Sequence, residues 1–142
     1  MSFSQQVGKW TQHTAPEAVA EDMQAITIEL FGGVASDTPI GEGRLAANWQ
    51  PSSGTPATGE IESTDHKAAK RKIKDFVSSF DFSKKDFVVY LTNNLKYATV
   101  AEYGGWSGPT DKVTSDGYSR KAPEGMVRKN LIRVAQNLKT RL

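Results

Sequence analysis

The chain has 142 residues, 37% hydrophobic and 24% charged, which suits one globular domain with a modest core; with no cysteine, disulfide frameworks, thiolate metal sites and cysteine nucleophiles are excluded. No run approaches the about 20 apolar residues of a membrane span, and the opening "MSFSQQVGKW" lacks the charged-then-apolar layout of a signal peptide, so a soluble protein kept in a reducing cytosol is expected. The net charge of +2 hides an asymmetry: residues 1–65 carry two basic and nine acidic side chains, a balance of −7, and residues 66–142 carry sixteen basic and seven acidic, a balance of +9. Such a distribution steers binding to nucleic acid or to an oppositely charged face of a neighbouring subunit.

Phe3, Val7 and Trp10 make the first residues mildly amphipathic, either as a short helix or as part of one longer, bent helix. Residues 16–34 read as a helix, with Val19, Met23, Ile26 and Leu30 on one stripe and Thr14 to Glu17 in a capping-box layout. "SDTPIGEGR" follows as a turn, since Pro39 cannot continue the helix and Gly41 and Gly43 permit unusual backbone angles. Residues 45–51 alternate Leu45, Ala47 and Trp49 against Ala46, Asn48 and Gln50, the period of a half-buried strand. Glu60–Ser63 reads as a brief further strand after the "PSSGTPATG" loop.

Residues 64–80 read as a helix, with Ala69, Ile73, Val77 and Phe80 on the apolar line and His66, Lys67, Lys70, Arg71, Lys72 and Lys74 around it. "DFVVYLT", 86–92, reads as a strand with both faces apolar and therefore covered. Asn93 and Asn94 turn the chain into a short helix over 95–103, stopped by Gly104. Residues 104–121 form a loop long enough to be functional, and Trp106 and Tyr118 in it point to a partner contact. From Pro123, placed as a first helical residue, the chain reads as a helix to its end, burying Val127, Leu131, Val134 and Leu138 and turning Arg128, Lys129, Arg133, Lys139 and Arg141 outward.

The residues for common chemistries are missing. His13 and His66 have no ligand partner three or four positions away, and neither HExxH nor GxSxG occurs. "GEGR" lacks the frame of a phosphate loop. No enzyme, cofactor or metal is therefore expected. "HKAAKRKIKDF" would suit phosphate contacts, but no helix-turn-helix or RNA-reading aromatic signature accompanies it.

Three blocks in register, "DTPIGEGRLAANWQ" (37–50), "VYLTNNLKYATVAEYGG" (89–105) and "YSRKAPEGMVRKNL" (118–131), resemble the neck or tail-completion proteins of long-tailed bacteriophages, the family described as minor tail component or minor tail protein Z-like. Members share a TP-x-x-TGR-L-x-x-NW segment, a strand running into TNNLPYA and LEYG, and a QAPAGMVR helix start. This chain departs from that pattern at Gly41-Glu42, where Asp-Thr is common, at Lys96, where proline is common, and in its longer loop before "KAPEGMVR".

The expected fold is α+β: one domain over 1–142 with a small, mostly antiparallel sheet flanked by a long N-terminal helix and a C-terminal helix. The resemblance implies a structural virion protein that forms a ring at the top of the tail, contacts the phage head-connector and tail-tube or tail-terminator proteins, and encloses a channel for DNA. It would pass through the host cytoplasm during assembly. A tail terminator and a free nucleic-acid-binding protein are the alternatives. The residues expected at partner contacts are Trp106, Tyr118, Arg120, Lys121, Glu102 and Tyr103, with Glu102 near Arg44, Arg120 or Lys121. Lys67, Lys70, Arg71 and Lys74 form a basic face for a neighbour or DNA. Pro39, Gly43, Arg44, Trp49, Asn93, Asn94, Gly104 and Pro123 are expected to define the fold.

Overall fold

A computed structural model describes residues 2, 4–8, 16–106 and 112–140. The expected Thr14 cap, Trp10, His13 and Arg141 lie outside them. The fold is α+β. A helical turn at 4–8 (α1) leads to α2 (Pro16–Asp37), α3 (Arg44–Ala47), β1 (Gln50–Ser53), α4 (Ala68–Ser79), β2 (Val89–Thr92), α5 (Ala98–Tyr103) and α6 (Val127–Lys139).

The long helix α2 is the centre, because its apolar residues cover two faces. Ile26 meets Val134 and Leu138 of α6, with Val7 of α1 closing that cluster. Phe31, Val34 and Ala35 meet Ala69, Ile73 and Val77 of α4 together with Leu45, Trp49 and Leu95. The expected line Ala69, Ile73, Val77 is thus the buried face of α4, and Gln24 of α2 donates to the Val77 carbonyl near the end of that helix at 3.0 Å. Phe76, Phe80, Phe82 and Phe87 form an aromatic cluster beside it, with ring centroids between 4.9 and 5.6 Å in edge and stacked pairs.

Several boundaries differ from the sequence reading. Residues 45–51 are not one strand. Leu45, Ala46 and Ala47 are all buried, which a half-exposed strand cannot achieve, and they form the single turn of α3. Gly43, at φ 96°, starts that turn in the left-handed region, and an added Cβ there would strike the Thr64 carbonyl. The strand begins only at Gln50 and pairs antiparallel with β2, Gln50 opposite Thr92 and Ser53 opposite Val89. Gly54 donates to the Val88 carbonyl at 2.9 Å; in that register Pro51, which has no N–H, faces the open edge of the sheet.

Glu60–Ser63 forms no strand either. Asn48 brackets Ile61, accepting its N–H at 2.7 Å and donating to its carbonyl at 3.0 Å, as a neighbouring strand would. β2 is shorter than expected, its residues are half-buried, and Val88 is 54% exposed, so both faces are not covered. Pro123 lies in a turn before α6, which starts at Val127. The buried line of α6 is Asn130, Val134 and Leu138, while Val127 and Leu131 are only half-buried.

Candidate interaction surface

Glu102 sits at the end of α5 and is 6% exposed. Its Oε1 accepts the N–H groups of Met126 at 2.8 Å and Val127 at 2.7 Å, and its Oε2 accepts that of Arg128 at 3.1 Å. These are the orphan donors of the first turn of α6, where the helix dipole favours negative charge. Met126, at the cap position, supplies no side-chain bond, so the cap comes from another helix. Arg128 completes the centre: its Nε donates to Oε2 at 2.8 Å, its Nη2 reaches the Glu102 carbonyl and, at 3.1 Å, the Tyr118 hydroxyl, and its guanidinium lies 4.7 Å from the Tyr103 ring centre.

Burial acts to raise the Glu102 carboxyl, but the N–H groups of Val127 and Met126, with Arg128, outweigh it and hold the group below the usual carboxylate range. Gly125 makes the approach feasible. Its φ is 78°, and an added Cβ would stand 2.6 Å from the Glu102 carbonyl oxygen. Glu102 therefore pairs with neither Arg44, Arg120 nor Lys121, and its carboxylate faces inward rather than toward a partner. Arg128, expected to face out, is half-exposed but tied to this centre.

Asn93 and Asn94 are likewise engaged within the chain. Asn93 donates to the Leu45 carbonyl at 2.9 Å and accepts from Leu95 at 3.2 Å; Asn94 donates to the carbonyls of Ala57 and Gly59 at 3.1 and 2.9 Å. Arg44 reaches Glu60 at 3.0 Å and Glu62 at 3.1 Å. Trp49 is buried and donates to Thr38 Oγ1 at 2.7 Å. Asn130, buried in α6, donates to Asp37 at 2.9 Å and accepts from Arg133, joining α2 to α6.

The described parts of the 104–121 stretch, 104–106 and 112–121, are tied together by backbone hydrogen bonds. Residues 112–120 form a small hairpin with Val113 opposite Ser119, and Gly105 and Trp106 donate to the Gly117 carbonyl at 3.1 and 3.0 Å. Trp106 packs against the main core. Lys121 Nζ crosses to the Ile40 carbonyl at 2.7 Å. Between the 39–45 turn and this hairpin lies an open groove of about 740 Å³, lined in part by Trp106, Tyr97, Arg120 and Lys121. Of the six expected contact residues, the structure therefore brings Trp106, Arg120 and Lys121 to one groove and Glu102, Tyr103 and Tyr118 to the Arg128 centre.

Lys67 at the N-cap of α4 and Lys70 and Lys74 within it are exposed at helical spacing on one face. Arg71 is tied to Asp65, whose carboxyl is lowered by that hydrogen bond first and by the Lys67 N–H second. α4 packs on α2 of the same chain through its apolar line. Its basic residues are on the other side.

Sequence reasoning missed Arg128, Gly125, Asn48 and Asn130 as organising residues. The glycine and arginine of "APEGMVR" were the only signal, and their partner Glu102 lies 26 residues from Arg128. Among the described residues no group of three or more His, Asp or Glu side chains could hold a metal, and no helix is long and apolar enough to cross a membrane. No protein-family model, no curated protein and no solved structure matches the chain.

Proposed function

We propose that this chain is a non-enzymatic structural protein of a phage neck, assembling as a ring that completes the tail and joins it to the head connector. The observation that carries this reading is the division of labour among its polar residues. Asn93, Asn94 and Glu102, from one of the blocks that carry the resemblance, satisfy backbone groups inside the chain. The ridge Lys67, Lys70, Lys74 and the acidic residues Glu17 and Glu21 of α2 stay exposed on separate elements. An acidic face on one copy and a basic face on the next suit a head-to-tail contact, which closes into a ring when the rotation allows.

The test is charge reversal at Lys67, Lys70 and Lys74 to glutamate, with assembly followed by native mass spectrometry beside the connector and tail proteins. Weakened, salt-sensitive assembly is the expected result. A wild-type chain that stays monomeric with those partners, and is missing from finished particles, overturns the reading. The Lys ridge also favours a second reading, a free nucleic-acid-binding protein. That reading requires salt-dependent binding of duplex DNA by the isolated chain.

A further inference from the structure

The groove beside the 112–120 hairpin combines three features. Its apolar lining is Leu45, Trp106, Ile40 and Tyr97, of which Ile40 and Tyr97 are 36% and 37% exposed, open enough to accept an apolar side chain. Among the described lining residues its charge is positive: Lys112, Arg120, Lys121 and Arg44 accompany one carboxylate, Glu42. Arg44 is occupied by Glu60 and Glu62, whereas Arg120 is exposed and its guanidinium makes no hydrogen bond or ion pair among the described residues. Its volume, about 740 Å³, lies in the range of ligand-binding clefts.

The third feature is a strand edge. Thr114 donates to the Tyr118 carbonyl at 2.8 Å and Arg120 to the Lys112 carbonyl at 2.9 Å. Val113 and Ser119 between them are a non-hydrogen-bonded pair, so the N–H and C=O of Val113 point away from the hairpin. They have no partner among the described residues. An extended guest can bond to such an edge while alternate side chains reach an adjoining groove.

We propose that this groove docks an extended, acidic segment of a partner protein. The guest pairs its backbone with Val113, sets an apolar side chain against Trp106 and Leu45, and places carboxylates beside Lys112, Arg120 and Lys121. Protein fits the groove better than nucleic acid because the apolar floor and the strand edge have no use for a phosphate backbone. The proposal holds whether or not the chain forms a ring.

A ten-residue peptide alternating glutamate and leucine, titrated into the ¹⁵N-labelled full chain, tests it. Amide and indole shifts are expected at Ile40, Leu45, Trp106, Val113 and Arg120. The double variant Lys112→Glu, Arg120→Glu should bind at least tenfold more weakly, with its remaining amide spectrum showing an intact fold. The charge-matched variant Lys67→Glu, Lys70→Glu should bind as the wild type does. The proposal is overturned by the absence of shifts at millimolar peptide or by shifts confined to α4. It is equally overturned if a glutamate–serine peptide binds as tightly, or if a twelve-nucleotide single strand binds the groove more tightly than the peptide.

Discussion

The Glu102 centre and the groove beside Arg120 draw on neighbouring stretches of chain and differ in what their charges meet. Glu102 is buried and accepts from three backbone N–H groups and one guanidinium. Arg120, just beyond the tyrosine that touches that centre, stands in solvent with its guanidinium unclaimed among the described residues. As letters the two regions look alike, both polar and both rich in aromatic residues. Their difference shows that a polar cluster is a frame when its bonds are met inside the chain and a surface when they are not. Changes at the first should therefore lower stability, and changes at the second should lower association and leave stability alone.

Glu102→Ala strikes the frame hardest. It strands three first-turn N–H groups and leaves Arg128 without its carboxylate, at a cost of about 3 kcal/mol in urea unfolding. Gly125→Ala forces a positive φ on a residue with a Cβ and pushes that carbon at the Glu102 carbonyl, for about 2 kcal/mol in the same assay. Trp49→Phe removes one buried hydrogen bond, to Thr38, for about 1 kcal/mol, read as a fall in Tm.

Acid sharpens the comparison. The Glu102 carboxyl is depressed in the folded chain relative to 4.5. Its contribution to stability is therefore complete well above that value and is lost as pH falls from about 4.5 through the folded value. Glu102→Gln should flatten the acid limb of a stability-against-pH curve, and an unchanged limb would remove Glu102 from its control. The smallest effects belong to the surface: Arg120→Ala and Lys70→Ala should each shift stability by less than about 0.5 kcal/mol. A larger loss at either would place that residue in the frame.

Much of this frame was legible locally. The apolar line Ala69, Ile73, Val77 follows helical spacing, and all three are buried. The turn at Asn93 and the stop at Gly104 follow from short-range chemistry, and Gly104 has a φ of 82°. α3 was not legible, because Leu45, Ala47 and Trp49 fit a strand period and only the structure shows that Ala46 and Asn48 between them are buried as well. The Glu60–Ser63 segment failed as a strand because the Asn48 side-chain amide takes both backbone bonds of Ile61 that a ladder would use, while Gln50 and Asn94 hold the Gly59 carbonyl just before it.

The Glu102 centre needed long-range knowledge. Nothing near Glu102 in the chain marks it as the cap of a helix that begins at Val127. The groove was half visible, since the stretch holding Trp106, Arg120 and Lys121 stood out as a contact region. Its other wall, the 39–45 turn, is far away in sequence and joins it through Lys121 and Ile40.

The most direct test of the proposed neck role is a cryo-EM reconstruction of phage particles assembled in the presence of this chain. The expected result is a closed ring of copies around the DNA channel, with the Lys67–Lys74 ridge at contacts between chains and Glu102 inside each copy. A neck without this chain, or a ring in which Glu102 faces a neighbouring subunit, would contradict it.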